Sequence, residues 1–180
     1  MNMVTIEEIQ AAYYMVAATG VLVAAVYYVF NMRNAEKLRK TQVVLSWFSQ
    51  LQTKEYHRHF IDIVFNTRYA NFEEWEKKYR GDVNADAHST FFALLNQLDY
   101  VGFMLREKIA EPESIYRIVP PSWIIISWTK IAPIFRRQRE AFRDPRLAEL
   151  AEYLYDETIK RYPEVFIPPE RAKFLFGFDA

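Results

Sequence analysis

The chain has 180 residues, 51% hydrophobic and 17% aromatic, with 23 basic residues balanced by 23 acidic ones. That length suits one core plus an additional element, the apolar content argues against disorder, and a zero net charge supplies no global field toward nucleic acid or anionic lipid. The lack of cysteine excludes disulfides, zinc–thiolate sites, iron–sulfur clusters and thiol nucleophiles.

The first element is the strongest signal. Residues 9–32 carry no charge, and a helix over them extends about 36 Å against a hydrocarbon layer of about 30 Å. Tyr13 and Tyr14 near one end, and Tyr27 and Tyr28 near the other, take positions that amphipathic rings prefer in the two headgroup layers. This predicts a transmembrane helix over 11–32 after a short extracytoplasmic N-terminus, 1–10. A buried core helix is the rival, less suited to this length and these paired tyrosines. Glu7 and Glu8 precede the span, whereas Arg33, Lys37, Arg39 and Lys40 follow it. The positive-inside bias therefore places the remainder of the chain on the cytoplasmic side of the cell membrane. A cleaved signal peptide needs the reverse charge order. Gly20 and Ala24 form a small-xxx-small pair on which another span could pack.

No glycine follows Gly20 until Gly81, and Pro112 is the first proline, so the helix is expected to continue as a stalk. Val44, Trp47, Phe48 and Leu51 recur on one face of it. Thr53 is placed to cap a second helix carrying Tyr56, Phe60, Val64 and Phe65, and Asn71 with Glu74 has the chemistry of a capping box for a short helix ending near Gly81. A longer helix over about 86–108 aligns Phe91, Leu95, Leu98, Gly102 and Leu105 and reads as the centre of a bundle. Pro112 opens a short helix to Val119, and Pro120 and Pro121 separate it from the next. That next helix begins Trp123, Ile124, Ile125, Ile126, Ser127, Trp128. It reads as a core helix kinked near Pro133, with a re-entrant or interfacial segment as the rival. Pro145 is predicted to begin the last helix, with Leu147, Leu150, Ala151 and Leu154 inward. No segment alternates with period two, so the fold class is all-α. One N-terminal transmembrane helix continues into a bundle of five or six helices over 33–163, followed by a Pro/Phe-rich tail over 164–180.

Few residues suggest chemistry. His57 and His59 stand on opposite faces of a helix, and no phosphate-cradling loop or nucleophile elbow occurs. No enzymatic activity, cofactor, metal or nucleic acid is therefore expected. Asp99 lies beside the apolar stripe of the central helix and is expected to form a structural ion pair with an arginine, in preference to a proton-transfer role. Arg136, Arg137, Arg139 and Arg143 form a cluster that suits an acidic partner, and that equally complements a helix C-terminus. The tail holds Phe174, Leu175, Phe176 and Phe178, a composition expected either to fold back over the domain or to fill a groove on another chain.

Five segments carry a resemblance: Arg39–Lys40–Thr41–Gln42, Phe72–Glu73–Glu74–Trp75–Glu76–Lys77–Lys78–Tyr79, Leu98–Asp99–Tyr100–Val101–Gly102, Trp128–Thr129–Lys130–Ile131–Ala132–Pro133–Ile134 and Glu152–Tyr153–Leu154. On these the chain resembles a group of archaeal and bacterial single-span membrane proteins with a helical cytosolic domain of unknown function. The resemblance implies no activity and assigns no catalytic residue. The expectation is a non-enzymatic, membrane-anchored accessory, scaffold or assembly subunit. It would bind other membrane proteins, or a second copy of itself, through its span, bundle and tail. The alternative is a membrane-tethered regulator or sensor that binds an anionic ligand, lipid headgroup or nucleic acid through the arginine cluster.

Overall fold

A computed structural model describes residues 5–51, 53–166 and 168. Seven α-helices and no strand occur among the described residues. The chain divides into two compact units, Met1–Val43 and Val44–Ala180.

From Ile6 on, the first unit belongs to one helix, α1 (Ile6–Leu51). A capping box opens it: Glu8 N–H donates to Thr5 Oγ1 at 3.3 Å, and Thr5 N–H donates to Glu8 Oε2 at 2.9 Å. Without an internal proline, and with a single glycine at Gly20, the helix runs unbroken to Leu51, and the Thr53 side chain caps α2 (Lys54–Ile61). Every residue from Thr5 to Gln42 is exposed. Ile6–Ser49 is long and apolar enough to cross a membrane.

The second unit contains the last turns of α1, then α2, a π-helical turn (Asp62–Asn66), α3 (Phe72–Tyr79), α4 (Ala85–Arg106), α5 (Pro112–Ile118), α6 (Pro121–Phe142), α7 (Glu149–Arg161) and a 3-10 turn (Pro163–Val165). Asn71 Oδ1 accepts from Glu74 N–H at 2.9 Å and starts α3, and Asn84 does the same for α4 through Ala87 N–H at 3.0 Å. α4 and α6 supply most of the core: Phe91, Leu94, Leu95, Val101 and Met104 pack with Ile124, Trp128, Ile131, Ile134 and Phe135, each at most 2% exposed. The apolar run of α6 is thus a core helix rather than an interfacial segment. α6 turns by 79° from α5 and runs through Pro133 unbroken.

The last helix starts later than Pro145. Residues 145–148 form a turn, Ala148 adopts a left-handed conformation (φ 62°), and α7 begins at Glu149. Within this turn the Leu147 carbonyl accepts from Arg139 Nε at 2.9 Å. α7 packs most extensively on α4, and Gly102 makes that possible: a Cβ there would lie 2.1 Å from the Leu150 carbonyl oxygen. The Gly102→Ala substitution is therefore expected to lower stability by about 3 kcal/mol, because backbone rather than a mobile side chain must yield. Urea unfolding in mild detergent, followed by tryptophan fluorescence, measures this.

Candidate functional site

Two polar arrangements stand out in the second unit. The first surrounds the start of α7. Asp99, one turn before Gly102 on α4, accepts from Ala151 N–H at 2.7 Å through Oδ1. α7 has no capping side chain of its own, since Ala148 occupies that position. Asp99 thus serves as its cap from a neighbouring helix. This corrects the expected ion pair: among the described residues the Asp99 carboxylate pairs with no lysine or arginine. Burial raises its pKa above the usual carboxylate range, against the lowering effects of the Ala151 and Leu150 backbone N–H groups and of the nearby charge of Arg139.

The arginines have a different counterion. Arg136 donates through Nε and Nη2 to Glu152 Oε1 at 2.9 and 2.7 Å, and Arg139 donates through Nη1 to Glu152 Oε2 at 2.8 Å. Desolvation would raise the Glu152 pKa, but these two guanidinium groups hold it below its ordinary value. Arg137 pairs with Glu140 at 2.8 Å within α6, and Arg143 is the left-handed C-cap (φ 53°). Three of the four arginines are engaged inside the domain.

The second arrangement involves a residue that the sequence reading did not single out. Lys130 on α6 is fully buried; its Nζ donates to the Thr67 carbonyl at 3.0 Å and lies 4.6 Å from the centre of the Tyr69 ring. The Tyr69 hydroxyl donates in return to the Lys130 carbonyl. Burial, with the nearby charge of Arg68, lowers the Lys130 pKa to about 8. The clamp holds the chain just beyond the π-helical turn, where Thr67 N–H donates to the Asp62 carbonyl at 2.9 Å and Asn66 Nδ2 donates to Asp62 Oδ1 at 2.9 Å. One signal for Lys130 was present: a lysine inside an otherwise apolar helical stripe must find carbonyl or aromatic partners.

That π-helical turn forms one wall of a groove of about 720 Å³ between α2 and the start of α4. Its lining includes Glu55, Arg58, His59, Asp62, Asp86 and Thr90. Three carboxylates face one guanidinium and one imidazole there, a balance that suits a polar or cationic ligand better than an anion. His57 lies elsewhere, with its ring 6.0 Å from Trp123, and His88 packs between Trp75 and Phe92. Among the described residues no group of three His, Asp or Glu is arranged to hold a metal ion.

Of the other residues expected to function, Tyr13, Tyr14, Tyr27 and Tyr28 are exposed on α1, at 62–71%. Gly20 has open space around it, with no atom within 4 Å of an added Cβ, and Ala24 is likewise exposed. Phe174, Phe176 and Phe178 lie outside the described residues.

Residues 14–158 match the family described as domain of unknown function DUF4760. The chain belongs to that family. Its matched region takes in most of α1, the Lys130 clamp and the Asp99 cap. No curated protein and no solved structure matches the chain.

Two measurements test these arrangements. Asp99→Ala is expected to cost about 1–2 kcal/mol, the range for a lost cap, while Asp99→Asn keeps an acceptor and costs less than about 1 kcal/mol. A loss of about 3–5 kcal/mol would instead indicate a buried ion pair. For Lys130 the folded state releases its proton near pH 8, whereas an unfolded lysine does so near 10.4. Between those values the unfolded chain binds the extra proton, so stability rises with pH, by on the order of 3 kcal/mol in all. Lys130→Met is expected to lack this rise when urea midpoints are compared at pH 7 and pH 10.

Proposed function

We propose that the protein is a single-pass subunit of a prokaryotic cell membrane that binds partner proteins and carries out no chemistry itself. The observation that carries this reading is the surface of α1. Val16, Val21, Leu22, Val23, Val26 and Phe30 are 55–72% exposed, and no residue of the most apolar window of the helix is buried. An apolar surface of this length is unfavourable in water by about 25 cal/mol for each Å² and is matched by a bilayer. The acidic residues before the span and the basic residues after it favour an outward N-terminus and a cytoplasmic domain. Gly20 and Ala24 provide a shallow face for a partner span, and the bundle and tail supply further contact surface.

The rival, an anion sensor using the arginine cluster, requires guanidinium groups available to a ligand. Glu152 and Glu140 already engage Arg136, Arg139 and Arg137.

Protease added outside right-side-out vesicles is expected to remove at most the first few residues. Digestion of the domain from outside would reverse the orientation. A membrane partner bound through apolar surface should co-purify in mild detergent at both low and high salt, and Gly20→Leu should release it. Loss of the partner on raising salt alone would favour the arginine reading.

A further inference from the structure

Between the π-helical turn and α3, residues 67–71 run without helical structure. Side chains supply the bonds that hold this strap: Arg68 N–H donates to the Tyr79 hydroxyl at 3.2 Å, Ala70 N–H donates to Glu74 Oε2 at 2.7 Å, and the Arg68 carbonyl accepts from Lys78 Nζ at 3.3 Å. Tyr69 is buried, with its ring 6.2 Å from that of Tyr79 and 6.1 Å from that of Phe91. A segment tied by side-chain contacts belongs to the low-stability end of a fold and opens without global unfolding.

The strap in turn encloses a charge. Lys130 is fully buried, and both the Thr67 carbonyl that accepts from its Nζ at 3.0 Å and the Tyr69 ring beside it belong to the strap. The closed strap thus excludes water from an amine whose charged form favours hydration. The surrounding titratable groups are engaged: the Tyr69 hydroxyl donates to the Lys130 carbonyl, Tyr79 of α3 bonds Arg68 N–H, His88 of α4 meets the Tyr79 carbonyl, and Asp62 of the π-helical turn pairs with Arg58 at 3.6 Å. Arg68 places a like charge near Lys130 and, with burial, disfavours its ammonium form.

We propose that residues 67–71 form a strap that opens locally over Lys130, and that proton binding by the Lys130 amine favours the open form. Opening alters the polar groove beside the π-helical turn, since Thr67 is part of its lining. The inference concerns the second unit alone and does not depend on the membrane or partner reading.

In the closed form Lys130 releases its proton near pH 8, and in the open form near the ordinary value of about 10.4. The open population is therefore constant well below pH 8 and falls as pH rises from there, by about tenfold between pH 8 and pH 9.5.

Limited trypsin digestion of the full chain in detergent micelles tests this without any substitution, because Tyr69, which follows the bond cut at Arg68, is buried in the closed form. The initial rate of cleavage after Arg68, normalised to a short peptide substrate at each pH, is expected to be about tenfold lower at pH 9.5 than at pH 8. In Lys130→Met the normalised rate is expected to stay constant. A constant rate in the native sequence, or the same dependence in Lys130→Met, would overturn the proposal. Alkylation separates local from global opening in a chain that has no cysteine of its own. Thr67→Cys keeps the backbone carbonyl that meets Lys130, and Leu154→Cys lies fully buried on α7. At pH 8 Thr67→Cys is expected to react at least about tenfold faster than Leu154→Cys. Equal rates would mean that the strap opens only when the whole domain unfolds, and would equally overturn the proposal.

Discussion

The close crossing of α4 and α7 organises the domain. It requires a residue with no side chain at Gly102, because the Leu150 carbonyl occupies the place of a Cβ. At that separation the carboxylate one turn earlier, on Asp99, reaches the exposed N–H groups at the start of α7 and replaces the cap that Ala148 cannot provide. Fixing where α7 begins also fixes Glu152 in its first turn. There it faces α6 and draws Arg136 and Arg139 onto a single carboxylate. Three helices are thus registered by one glycine and two acidic side chains, and Arg136 and Arg139 of the cluster become a brace between α6 and α7.

Lys130 illustrates a different balance. An ammonium buried without a partner is very unfavourable, and here its position is sustained by the Thr67 carbonyl and the face of Tyr69. The reciprocal bond from Tyr69 to the Lys130 carbonyl ties the segment after the π-helical turn to the centre of α6. The polar groove beside that turn is consequently built on the core rather than on a loose loop. Single π-turns concentrate at functional positions, and this one places Asp62 and Asn66 on the groove wall.

In α1 the usual distribution of polarity is inverted. The core of the second unit buries its apolar side chains at exposures of a few per cent, while Val16, Val21, Leu22, Val23, Val26 and Phe30 on α1 are 55–72% exposed. Thr19, within the apolar stretch, donates its hydroxyl back to the Met15 carbonyl at 2.8 Å and so presents no unsatisfied donor. This is the chemistry that a hydrocarbon environment requires of a helix.

Features governed by local rules were legible in the sequence. The long uninterrupted α1, the caps at Thr53 and Asn71, the proline-opened α5 and α6 and the apolar face of α4 each depend on residues within a few positions of one another. A charge-free stretch of helical length likewise identifies a candidate span without reference to the rest of the chain. The start of α7, the partner of Asp99, the pairing of the arginines and the lodging of Lys130 were decided only by tertiary structure. Asp99 meets a backbone N–H 52 residues away and Lys130 a carbonyl 63 residues away. The need of a carboxylate beside an apolar stripe for a counterion suggested an arginine for Asp99, and the preference of proline for a first helical turn suggested that Pro145 opens the last helix. What overrode both was the approach of two backbones at Gly102, a distance that no local pattern encodes.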